Sequence, residues 1–136
     1  MHLTNRLSLE NFYLIHCCEE NKFKVYLNHS NSDVVKKFNQ INRKQTTTNK
    51  FVLVIEAVKN GVANTSQWNW EDSCDLGEIF AIKVDEHRFY TVVTSCLGYK
   101  ELFICRYGRK QTNTNDKKLL ATIGSISKIE LQKLLT

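Results

Sequence analysis

Residues 78–107 read EIFAIKVDEHRFYTVVTSCLGYKELFICRY, and this stretch decides the fold. Three apolar-rich runs, at 78–84, 88–95 and 101–107, are separated by short turns. Links of that length join antiparallel neighbours, whereas parallel strands need a crossover of a dozen or more residues. The stretch therefore predicts a three-stranded antiparallel meander.

The chain before the meander predicts one strand followed by a helical hairpin. Residues 23–27 alternate apolar with polar side chains and then meet a cluster of turn and N-cap residues at 28–33. Apolar residues recur at helical spacing over 34–43 and again over 48–60. The run 51–55 is rich in β-branched residues, so a buried strand there is the alternative.

Three other regions complete the predicted architecture. Residues 62–77 are polar and carry two tryptophans, which predicts a loop. From Asn115 onward a helical pattern broken at Gly124 predicts one C-terminal helix or two short ones. Residues 1–22 are too apolar for a free tail, and we expect an N-terminal extension packed as a helix or strand on a core domain of residues 23–136, or on a partner.

Strands and helices are segregated along the chain, which is typical of an α+β fold. We expect the helical hairpin to pack on an antiparallel sheet of about four strands, with a C-terminal helix and the N-terminal extension added. A length of 136 residues fits this single core.

Composition narrows the class of protein. The chain has no apolar run near the roughly 18 residues of a membrane span and no signal-peptide pattern, so we expect a cytoplasmic protein without a membrane partner. Five cysteines without C-x-x-C spacing indicate free thiols rather than a disulfide framework or a zinc ribbon. His16, Cys17 and Cys18 are adjacent rather than spaced as ligands, and we expect no metal.

Positive charge is concentrated near the C-terminus. The net charge is +5, and residues 100–118 hold six basic and two acidic residues. Such a local excess suits a polyanion such as RNA or DNA, although a solvated surface of a basic protein has the same composition.

One cluster in this basic region has the composition of an RNA-cleaving site. Cleavage through the 2′-hydroxyl needs a base, an acid for the leaving 5′-oxygen, and cations for the phosphate, with no cofactor. Arg106, Tyr107, Arg109 and Lys110 supply cations and a proton carrier. Strand alternation predicts that Tyr107 and Arg109 share a face with Phe103 and Cys105, opposite Arg106.

Each of these side chains also fits a role outside catalysis. Tyr107 also fits a core aromatic, and Arg109 and Lys110 also fit solvated charges. His87 is a natural acid or base at neutral pH, but a histidine in a turn is commonly only exposed to solvent. Trp68 and Trp70 have the rings to stack on bases or to pack over the core.

Three segments together resemble a known family. They are Glu78–Val84, Arg88–Val93 and Leu102–Asn115, in which Tyr107, Arg109 and Lys110 stand before a Thr114-Asn115 step. In this order they are similar to the RelE/ParE toxin superfamily, particularly its phage-derived HigB-like branch, over roughly residues 23–120. Departures from the family pattern are Ala81, Lys83, Thr91, Asn113 and Asn115.

The resemblance implies a RelE-like fold and the toxin of a type II toxin–antitoxin system, acting as a metal-independent endoribonuclease on mRNA at the ribosome. It implies two partners, a cognate antitoxin and ribosome-bound mRNA, and no small-molecule cofactor. Thr91 and Ala81 favour the alternative of a ParE-like or degenerate toxin that does not cleave. A basic nucleic-acid-binding or protein-binding module is the non-enzymatic alternative.

The residues predicted to form the site fall into two groups. The predicted catalytic residues are His87, Arg88, Tyr107, Arg109 and Lys110. The predicted RNA-binding residues are Lys83, Arg106, Lys117 and Lys118.

Overall fold

The computed structural model describes residues 9–110 and 120–126. Two helices and six strands have defined bounds: β1 (Phe12–Cys18), β2 (Phe23–Asn28), α1 (Ser32–Ile41), α2 (Gln45–Lys59), β3 (Trp68–Cys74), β4 (Gly77–Val84), β5 (His87–Cys96) and β6 (Tyr99–Arg109). A 3₁₀ turn at Leu9–Asn11 precedes β1, and residues 120–126 are helical. None of the described helices is long and apolar enough to cross a bilayer.

The described strands form one mixed sheet in the order β1-β2-β6-β5-β4-β3. Strands β2 and β6 pair in parallel, and every other neighbouring pair is antiparallel. Helices α1 and α2 follow β2 and pack on one side of the sheet, which we call the helix side. We call the opposite side the far side.

The prediction of a RelE-like antiparallel sheet of about four strands is wrong, because the described sheet has six strands and contains a parallel pair. The class α+β agrees with the structure. Strand β3 lies in the predicted loop 62–77 and was not predicted, whereas β1 lies in the N-terminal extension, for which a helix or a strand was expected. Both are edge strands with many exposed residues and a register shift, so neither carries a regular alternating pattern.

Local sequence explains where the hairpin begins and turns. Asn31 is the N-cap of α1, and its side chain accepts a hydrogen bond from the Val34 backbone N–H at 3.0 Å. Helix α2 has no side-chain N-cap bond; instead, the Thr47 hydroxyl donates to the carbonyl of Ile41, the last residue of α1. Residues 51–55 lie inside α2, so the alternative of a buried strand there is wrong.

Both sides of the sheet are buried. The helix-side core joins α1 and α2 to the sheet and contains Phe23, Val25, Leu27, Val34, Ile41, Phe51, Val54, Ile55, Val58, Ile82, Val84, Phe89, Leu102, Ile104 and Tyr107. The far-side core contains Phe12, Tyr26, Leu76, Ile79, Ala81, Tyr90, Val92, Phe103, Cys105, Ile123 and Ile126. The last two residues belong to the helical segment 120–126, which covers part of the far side.

A bulge in β6 determines which way Tyr107 faces. Tyr90 pairs with Arg106 but Thr91 pairs with Ile104, so Cys105 is an extra residue in β6. The prediction that Tyr107 shares a face with Phe103 and Cys105 is therefore wrong. Those two residues belong to the far-side core, whereas Tyr107 belongs to the helix-side core.

Candidate functional site

A histidine and a tyrosine meet at one end of the sheet. His87 begins β5 directly after the turn at Asp85 and Glu86, and Tyr107 lies near the end of β6. The His87 Nδ1 atom is 2.5 Å from the Tyr107 hydroxyl oxygen, which is a hydrogen bond. The ring of Phe89 packs edge-on against Tyr107 at 5.3 Å and holds it in place.

Burial shifts the two pKa values in opposite directions. Removal from water lowers the pKa of His87, and the positive charges of Arg109 and Lys37 add to this effect while the negative charge of Glu86 opposes it. Removal from water raises the pKa of Tyr107, an effect that Arg109 opposes. Both rings are therefore kept neutral near pH 7, when a histidine is able to take a proton and a tyrosine to give one.

Two cations stand beside this pair on the helix side. The Nζ of Lys37, on α1, lies 5.7 Å from the centre of the Tyr107 ring. The Arg109 guanidinium is exposed and forms an ion pair of 3.0 Å with Glu86. Arg109 is also the direct cross-strand partner of His87. Sequence reasoning missed Lys37, because nothing in the helical pattern separates it from its neighbour Lys36.

Another group of cations lies on the far side at the same end of the sheet. Lys83 and Arg88 are direct cross-strand partners on β4 and β5. Their parity is opposite to that of Ile82 and Phe89, which belong to the helix-side core. The structure thus places Arg88 and His87, adjacent in sequence, on opposite sides of the sheet.

This far-side pair is an electrostatic cost to the fold, since like charges directly opposite each other destabilise a sheet. Burial lowers the pKa of Lys83, and the charges of Arg88 and Lys110 lower it further. Lys83 donates to the Thr65 carbonyl at 2.9 Å, and Arg88 donates to the carbonyls of Asp85 and His87. We call the sheet end that carries Lys83, Arg88, Arg109 and Lys110 the basic end.

Arg106 is not part of this exposed surface. Its side chain is buried, with Nε 3.1 Å from the Ser125 hydroxyl and one terminal nitrogen 2.8 Å from the Cys105 carbonyl. The guanidinium is covered by the helical segment 120–126, so the structure does not bring it to the basic end. The predicted RNA-binding residues Lys117 and Lys118 lie outside the described residues.

The tryptophans lie on edge strand β3. The Trp68 ring stacks on Phe80 at 4.6 Å and packs against the helix-side core, which is a packing role. Trp70 is 53% exposed, and its Nε1 donates to the Glu78 carboxylate at 2.6 Å. Both lie on a different strand from the His87–Tyr107 pair.

Within residues 9–110 and 120–126, no three side chains of His, Cys, Asp or Glu converge as metal ligands. All five cysteines are free thiols. Comparisons with protein-family models, with curated proteins and with solved structures find no match for this chain.

Proposed function

We propose that the protein is the toxin of a type II toxin–antitoxin system that cleaves ribosome-bound mRNA in the cytoplasm. The carrying observation is the His87–Tyr107 hydrogen bond at a sheet end where cations lie on both sides. The resemblance of segments 78–84, 88–93 and 102–115 to the RelE/ParE superfamily supports the biological setting. A cognate antitoxin is the second partner that this proposal requires.

The chemistry proposed for the pair is a proton transfer at each end of an in-line displacement. With its proton on Nδ1, His87 donates to the Tyr107 oxygen and presents the lone pair of Nε2 to the RNA 2′-hydroxyl. The 2′-oxygen forms a bond to phosphorus as its proton moves to Nε2, and the bond from phosphorus to the 5′-oxygen breaks. Tyr107 gives its proton to that 5′-oxygen, which leaves a cyclic 2′,3′-phosphate and a free 5′-hydroxyl.

The neighbouring charges suit these roles. The phenolate that forms on Tyr107 is stabilised by the Nδ1–H of protonated His87 and by the cation of Lys37 above its ring. Arg109 is exposed next to His87, so it is placed to exchange Glu86 for a phosphate oxygen. The far-side cations Lys83 and Arg88, together with Lys110, then bind flanking phosphates of the same RNA strand.

The test compares three variants in cells and with purified ribosomes. Tyr107→Phe and His87→Gln should each lower the cleavage rate by about 100-fold or more, since positioned acid–base groups contribute that much. Tyr13→Phe is the matched control, because Tyr13 is 57% exposed on edge strand β1 and should change nothing. Mapping of the 5′ ends of transcripts should show cuts only within translated regions. Full cleavage by both site variants would contradict the proposal.

One observation favours a second candidate, a toxin that binds its target without cleaving it. Arg88 lies on the side opposite to the His87–Tyr107 pair, and Arg109 forms an ion pair with Glu86, so neither guanidinium is an unpaired cation beside the pair. This candidate predicts growth inhibition by wild-type protein with no new transcript ends. It also predicts that Tyr107→Phe remains toxic, whereas replacement of Arg109 and Lys110 by Ala relieves toxicity.

A further inference from the structure

A second site candidate lies at the junction of edge strand β1 with the helical hairpin, away from the basic end. A cavity of about 190 Å³ opens there. Apolar side chains make up most of its lining, and His16, Asn42 and Glu56 are its polar members. An apolar cavity of about 150 Å³ is large enough to hold benzene, so this one has room for a single six-membered ring with a small substituent.

A bulge in β1 builds one wall of this cavity. Leu14 pairs with Tyr26 and His16 pairs with Val25, so Ile15 is an extra residue in the strand. In a regular strand Ile15 and His16 would face opposite sides of the sheet. Because of the bulge both contact the helix side: Ile15 packs against the helix-side core, and the His16 ring lies 5.9 Å from Phe23. Bulges that turn a side chain in this way are frequent next to functional sites.

The imidazole of His16 in this wall has a ring nitrogen without a hydrogen-bond partner among the described residues. The Nε2 atom of His16 is buried and forms no hydrogen bond within the described part of the chain. A buried polar atom without a partner destabilises the fold, so its presence in a mostly apolar lining needs a reason. A ligand that carries one hydrogen-bonding group beside its apolar body would satisfy it.

We propose that this cavity binds a small neutral molecule made of one aromatic ring and one hydroxyl group. The ring fills the space among Phe38, Phe51 and Ile55, and the hydroxyl donates to His16 Nε2. The carboxylate of Glu56, at the same cavity, disfavours an anionic ligand. Val52 lines the cavity and is 49% exposed, which places an entrance on the solvent side of α2.

The test is an NMR titration of the full chain with phenol and, separately, with toluene, which has the same ring without the hydroxyl. We expect saturable amide shifts for phenol that are centred on Ile15, Val52 and Ile55. Phenol should bind at least about fivefold more tightly than toluene, because one additional hydrogen bond strengthens binding by roughly that factor. In His16→Leu this preference should vanish while toluene still binds.

Two further variants keep the proposal falsifiable. His29→Leu replaces a histidine outside the cavity and should keep the preference for phenol. Val52→Trp changes a half-exposed helix position, where folding tolerates a large side chain, and should block both ligands. The proposal is overturned if phenol gives no saturable shifts, if the shifts centre elsewhere, or if wild-type protein binds phenol and toluene equally well. Because the titration contains no RNA, its result is independent of whether the basic end cleaves mRNA.

Discussion

The two sides of the sheet are both buried, yet different amounts of the described chain cover them. On the helix side, α1 and α2 supply Val34, Ile41, Phe51, Val54, Ile55 and Val58 to the core. On the far side, the helical segment 120–126 supplies only Ile123 and Ile126. The difference extends to the basic end, where the helix side has the neutral His87–Tyr107 pair and the far side has the crowded cations. Burial on the helix side keeps both rings of this pair neutral near pH 7.

The largest expected effect on stability comes from a substitution in the helix-side core. Phe89 is fully buried and contacts both Phe51 of α2 and Tyr107. Phe89→Ala should lower the free energy of unfolding by about 3–5 kcal/mol, because it removes a large ring and leaves a cavity. Denaturant unfolding measures this loss. A loss below 1 kcal/mol would mean that the helices do not pack on the sheet as described.

The matching change on the far side should cost less. Ile126 is fully buried, but its side chain is smaller than the ring of Phe89, so its truncation leaves a smaller cavity. Ile126→Ala should therefore cost about 2 kcal/mol, at the lower end of the range for buried isoleucine. Leu120→Ala is the control, since Leu120 is 56% exposed in the same segment and should change stability by less than about 0.5 kcal/mol. Equal costs for Ile126→Ala and Phe89→Ala would remove the contrast between the two sides.

The pair on the helix side predicts a pH dependence of stability. Burial holds the pKa of His87 below its ordinary value of 6.5, so the unfolded chain binds the proton more readily. The contribution of neutral His87 to the free energy of unfolding is present above about pH 6.5 and is lost as the pH falls below that value. His87→Gln should flatten this part of the curve of unfolding free energy against pH. An unchanged slope between pH 6.5 and 5 in the variant would assign the acid sensitivity to other groups.

The smallest expected effect concerns the far-side cations. Lys83→Gln removes the charge that faces Arg88 directly across β4 and β5, and it should raise stability by a few tenths of a kcal/mol at low salt. Added salt should reduce the gain, since it screens the repulsion. Lys50→Gln is the opposite case, because Lys50 pairs with Asp85 at 2.5 Å, and its loss should cost up to about 1 kcal/mol. Thermal melts at two salt concentrations distinguish the stabilisation expected for Lys83→Gln from the destabilisation expected for Lys50→Gln.

The inner elements of the fold were predictable because their patterns are local. Strands β2, β4, β5 and β6 and both helices lie where apolar periodicity and turn residues predict them. Edge strands β1 and β3 were not predictable in this way, since one side of each pairs with no other described strand and much of each faces solvent. For β3, the tryptophans of the predicted loop were the available signal, because aromatic residues favour strands.

The site was predictable in composition but not in arrangement. Five of the residues predicted for the site lie at one end of the sheet: His87, Arg88, Tyr107, Arg109 and Lys110. Their division between two sides depends on the bulge at Cys105 and on the place of each residue in its strand. Lys37 lies beside the His87–Tyr107 pair because of the way α1 packs on the sheet. Arg106 is buried because the helical segment 120–126 packs over it.

The sequence by itself determined the α+β class, the helical hairpin, the meander and the concentration of positive charge at residues 100–118, because short-range periodicity, turns and composition specify them. Only the tertiary structure decided the parallel pairing of β2 with β6, the side on which Tyr107 lies, and the cavity beside His16. The physical reason is the same for all three. Each depends on contacts between residues far apart in the chain, and a single extra residue in a strand reverses which side the next side chains face.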